Sequence, residues 1–194
     1  MSKYFFEKLS GDNLIEKVAA AFLNVEIIPE SKQTVLDNPD AYSHSVWEKA
    51  YFDDDDGEYK QTYKESSEAI AKFIEEHLQG VEFLFTFYKN ICYDAWAFIL
   101  YKKDGVLYEV NGSHCSCHGL ENQWEPEETT LEALEHRATK GSLGYEGSKD
   151  AEWKVVDDDP EDWKDIRESG NLFAAELLEF IQEYREANKT PTVH

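Results

Sequence analysis

The sequence predicts an α+β fold, a three-stranded or larger antiparallel sheet with several flanking helices, on three observations. Ile70, Phe73, Ile74 and Leu78 recur at helical spacing between Ser66 or Ser67, either of which can open a helix, and Gly80, which stops it. Val81, Phe83, Phe85 and Phe87 then alternate with Glu82, Leu84, Thr86 and Tyr88, the period of two of a strand with one strongly apolar face. Two further apolar runs, Tyr93 to Lys102 and Val106 to Val110, flank Asp104-Gly105, and an Asp-Gly pair in that setting is a strong hairpin signal. Short connections make neighbours in sequence pair in space, so a helix followed by three sequential antiparallel strands forms the centre of the fold.

The other elements follow in chain order. Asp12 is placed to cap a first amphipathic helix that runs to Leu23, with Leu14, Ile15, Val18 and Phe22 at helical spacing. From Pro29 to Tyr63 periodicity is weak, so that stretch reads as mostly loop around one short helix near Ser45 to Tyr51. Beyond the sheet, Thr129 or Thr130 caps a helix ending near Thr139, with Glu132 beside its positive N-terminal end. Gly141, Gly144 and Gly147 mark a loop, Trp153 to Val156 a strand, and Pro160 the first turn of a short helix. The final helix, Asn171 to Ala187, gathers Phe173, Leu177, Phe180, Ile181 and Tyr184 on one side. Residues 1–188 read as one acidic domain and residues 189–194 as a frayed tail.

Composition narrows the function. Aromatic residues make up 14% of the chain, enough large apolar surface for a well-buried core. Against 41 Asp and Glu stand only 19 Lys and Arg, a formal net charge of -22 that, with no local basic cluster, disfavours direct contact with DNA or RNA. The N-terminus MSKYFFEKLSGDNL lacks the apolar core of a signal peptide and no apolar window reaches the length of a bilayer, so no membrane and a cytoplasmic location are expected. Cys92, Cys115 and Cys117 are odd in number and two are separated by one residue, which argues against a disulfide framework and for a reducing compartment.

Two acidic stretches stand out toward the C-terminal end of the sequence. Glu176, Glu179, Glu183 and Glu186 recur at spacings of three and four and share one helix face. Asp157, Asp158, Asp159, Glu161, Asp162 and Asp165 precede them, and Asp53 to Asp56 and Glu125, Glu127 and Glu128 add further charge. Charges this dense repel one another and cost stability. Their functional reading is a decoy that imitates the phosphate rows of a nucleic acid and occupies a basic cleft in another protein, with Asp157, Asp158, Asp159, Glu161, Asp162, Glu176, Glu179 and Glu183 as the contact set. The plain alternative is acidity that only keeps the chain soluble. Calcium fits Asp53 to Asp56 poorly, because the run lacks the alternating ligands and terminal Glu of an EF-hand loop.

His114-Cys115-Ser116-Cys117-His118 places four soft or borderline metal ligands within one short segment. The donor set suits zinc, but structural zinc sites draw pairs of ligands from two segments, so Cys92 or a distant His has to complete this shell. No cofactor is the leading expectation, with zinc the ion such a site would take. A thiol-dependent enzyme with Cys115 or Cys117 as nucleophile and His114 or His118 as base is the second functional reading, and it lacks a third orienting group. A polar turn with its thiols tucked beneath Trp124 is the purely structural one.

The string Tyr108-Glu109-Val110-Asn111-Gly112-Ser113-His114-Cys115-Ser116-Cys117, with Gly119-Leu120-Glu121 and Trp124-Glu125-Pro126-Glu127-Glu128-Thr129-Thr130 after it, resembles a segment of small uncharacterised proteins of bacteriophages and their hosts. The resemblance is confined to this segment and assigns no catalytic or binding residue. It implies a phage origin, and phage anti-restriction and anti-CRISPR proteins include DNA mimics. The expected function is therefore a non-enzymatic acidic inhibitor of a basic, nucleic-acid-processing partner such as a host defence factor.

Overall fold

The computed structural model describes residues 12–38, 46, 50, 51, 56–91, 94–114, 118–140 and 161–189; for 56–58, 89–91, 94, 95, 114 and 161–171 it describes only their place in an element. Four strands, β1 (Glu82–Ile91), β2 (Asp94–Lys103), β3 (Val106–His114) and β4 (Glu127–Thr129), form one sheet in the order β1-β2-β3-β4, antiparallel at each pairing. Helices α1 (Leu14–Leu23), α2 (Lys32–Asp37), α3 (Asp56–Phe73), α4 (Leu131–Thr139) and α5 (Glu161–Ala187) complete the α+β fold among the described residues. No helix of the described residues is long and apolar enough to cross a membrane.

The run Trp96 to Tyr101 is buried on both sides, so the sheet carries an apolar layer on each face. Ala97, Ile99, Tyr101, Tyr88 and Val110 face Val18 to Phe22 of α1 and Ile70 and Phe73 of α3. Trp96, Phe98, Leu100, Phe85 and Phe87 face Leu134 and Ala138 of α4 and Phe173, Leu177 and Ile181 of α5. The result is three layers, helices on both sides of an antiparallel sheet. A smaller cluster of Ile28, Val35, Val46, Ala50 and Tyr59 lies beside them.

Several expectations need correction. Asp12 does not cap α1: Asn13 holds that position in the left-handed region at φ 59 and makes no side-chain cap bond. The same helix ends on Asn24, also left-handed, whose N–H reaches the Ala21 carbonyl while Val25 N–H reaches that of Ala20, the paired bonds of a Schellman motif. The stretch from Pro29 to Tyr63 is less irregular than its sequence suggests, since α2 lies within it and α3 opens at Asp56 rather than at Ser66 or Ser67. Tyr59 anchors that early turn, buried in the small cluster with its hydroxyl donating to the Pro29 carbonyl at 2.9 Å. Val46, Ala50 and Tyr51 are helical, as expected of their segment. After Phe73 the coil widens into a π-helical turn, Ile74–Leu78, before Gly80 at φ 74 ends it.

Phe83 does not share a face with Phe85 and Phe87. Opposite β1, Phe83 pairs with Tyr101 but Phe85 with Leu100, so Leu84 is an extra residue, a β-bulge that flips the parity of the strand. Phe83 consequently packs on the α1/α3 side and Phe85 on the α4/α5 side. β3 continues past Val110 to His114, and the three-residue β4 was not anticipated. Residues 161–187 form one continuous helix instead of two. The loop expected at Gly141, Gly144 and Gly147, the strand at Trp153 to Val156 and the helix opening at Pro160 lie outside the described residues.

Candidate protein-binding face and the Cys-His turn

α5 is amphipathic, and its apolar stripe fixes how its charges are displayed. Phe173, Leu177 and Ile181 are sealed against the sheet, and Phe180 and Tyr184 pack at the margin. Glu179 and Glu183 stand exposed one turn apart, and Glu186 follows three residues on. At 1.5 Å of rise per residue these carboxylates are spaced by about 6 and about 4.5 Å along the axis. Glu186 Oε1 accepts a long hydrogen bond, 3.5 Å, from Gln182. Glu176 departs from the row: it is half-buried and one of its carboxylate oxygens is out of reach of water. The exposed row is therefore Glu179, Glu183 and Glu186.

Arg185 does not neutralise this row. Its guanidinium turns to α4, donating from Nη1 to Glu135 Oε2 at 2.7 Å and from Nη2 to Glu132 Oε1 at 3.0 Å. The bond to Glu135, then that to Glu132, holds the Arg185 guanidinium even more firmly protonated than usual. Glu132 is held below the ordinary carboxylate range first by a backbone N–H at the helix N-terminus and then by Arg185. Both helices are thereby joined through exposed ion pairs above an apolar seam.

Of the remaining acidic residues singled out in the sequence, Asp157, Asp158 and Asp159 lie outside the described residues, and Glu161 and Asp162 fall in the first turn of α5 with side chains likewise outside them. Glu125, Glu127 and Glu128 are exposed, the last two on β4.

The Cys-His segment leaves the end of β3. His114, its last residue, pairs with Ala95, and its side chain is outside the described residues, as are Cys92, Cys115 and Cys117. His118 is exposed. Among the described residues no three His, Cys, Asp or Glu side chains form a metal-holding group. The turn that follows is firmly tied down. Gln123 extends β3 with its side-chain amide, accepting from Ser113 N–H at 2.9 Å and donating to the Ser113 carbonyl at 2.6 Å and the Gly119 carbonyl at 2.9 Å. Leu120 is buried, and Trp124 packs edge-on to Phe22 and Phe73 and parallel to Tyr101.

Sequence reasoning missed a buried charge. Glu109 on β3 is paired by Arg137 of α4 and accepts a hydrogen bond from Asn111 Nδ2 at 3.1 Å. The available signal was parity: Glu109 alternates with Tyr108 and Val110 and so lies on the face that α4 covers. Comparison with known proteins finds no matching family model, no similar curated protein and no similar solved structure, so the reading rests on the residues themselves.

Proposed function

We propose that this chain is a non-enzymatic acidic protein that occupies the basic, nucleic-acid-binding surface of another protein, such as a host defence factor. The observation that carries the reading is the exposed row Glu179, Glu183 and Glu186 on a helix whose opposite side is locked to the sheet. A rigid helix presents carboxylates at fixed intervals without an ordering cost on binding, and the intervals of about 4.5 to 6 Å are on the scale of phosphate spacing along a nucleic-acid strand. The net charge of -22 adds a long-range field that draws in a basic partner and repels nucleic acid. Arg185, the basic residue in the last turn of this helix, is engaged with Glu132 and Glu135.

The test is affinity capture from bacterial lysate with the wild-type chain and with a Glu179→Lys, Glu183→Lys variant. A nucleic-acid enzyme that is retained by wild type, released by high salt or competing DNA, and not retained by the variant would support the reading. Equal capture by both chains would sink it. An empty capture from several hosts would remove its basis and turn attention to zinc or thiol chemistry at Cys115 and Cys117.

A further inference from the structure

We draw no further inference here: the strongest candidate, the aromatic row of Phe83, Tyr101 and Tyr108 that crosses β1, β2 and β3 beside Trp124 on the α1/α3 face of the sheet, is an apolar surface whose outer members are only partly buried, and nothing in the structure shows what covers it.

Discussion

Glu109 of β3 is joined to Arg137 of α4 across 28 positions of sequence, and the carboxylate is 2% exposed while the guanidinium side chain is 33% exposed. Glu127 of β4 stands directly opposite Glu109, so a second carboxylate adjoins the buried one. Arg137 supplies the positive charge that makes this burial tolerable. Breaking a buried pair by removing one partner costs about 3 to 5 kcal/mol, and the partial exposure of Arg137 puts Arg137→Ala at the low end, near 3 kcal/mol. The measurement is a urea midpoint at unchanged slope. Glu109→Leu combined with Arg137→Met should recover most of the loss, because the uncompensated charge is gone. A single variant within about 1 kcal/mol of wild type would mean that the carboxylate reaches water once its partner leaves.

Phe173 is the centre of the other apolar layer. Its ring meets Phe87, Trp96 and Phe98 with centroids at 5.0, 4.9 and 5.1 Å, each edge to face. Truncation to alanine empties a site that rigid neighbours on β1 and β2 cannot collapse to fill. Phe173→Ala should cost about 3 to 5 kcal/mol, and Phe180→Ala, half-buried at the margin, clearly less. Equal losses at the two positions would contradict the packing described.

What could be read from the sequence was local. Asp104-Gly105 marked its hairpin, Thr129 or Thr130 its cap, which Thr130 takes, and the stripe of Phe173, Leu177 and Ile181 its buried face, because each signal lies within a few residues of what it specifies. The Leu84 bulge was not legible: one extra apolar residue in an apolar run leaves the alternation looking regular, and only pairing with Tyr101 and Leu100 shows the shift. Nor was the continuity of α5 through Gly170, since glycine costs a helix about 1 kcal/mol and the packing that offsets it comes from the sheet. The carboxylate row was legible as spacing, but the inward turn of Glu176 depends on tertiary packing. Parity set Glu109 on the face opposite Tyr108 and Val110, and only the packing of α4 shows that this face is covered.

The hairpin offers a clean test of backbone strain. Asp104 and Gly105 lie at φ 52 and 84, the doubly left-handed pattern of a type I′ turn, and nothing lies within 4 Å of where a Cβ on Gly105 would stand. Gly105→Ala therefore meets no clash, and its cost is conformational, about 1 kcal/mol or slightly more. Thermal melting should show a modest drop without a change in the folded spectrum. A neutral result would mean the turn relaxes to another type.

Glu132 gives a signed pH dependence. Its folded carboxyl sits below the ordinary value of 4.5, by its backbone hydrogen bond and Arg185, so the folded state binds its proton less readily than the unfolded chain. The stabilisation is therefore complete above the unfolded value and is lost as pH falls through the depressed folded one. A Glu132→Gln variant should be less stable than wild type by a constant margin at neutral pH, and that margin should shrink once pH drops below about 4.5. A margin that stays the same down to the acid transition would assign the effect to packing rather than charge.

The exposed row on α5 has a stability consequence that separates fold from binding. Glu179 and Glu183 are exposed like charges one turn apart, in a chain of net charge -22, and such pairs destabilise a helix by about 0.2 to 0.5 kcal/mol. Lysine at both positions relieves local repulsion and reduces the overall field. The Glu179→Lys, Glu183→Lys chain should then melt at the same temperature as wild type or slightly higher in low salt. Wild type should gain stability as KCl rises, because screening shortens the reach of the repulsion to about 8 Å near 0.15 M, and the variant should gain less. If the variant instead melted well below wild type, the two carboxylates would be holding the fold together, and their loss could not be used to argue for a binding face.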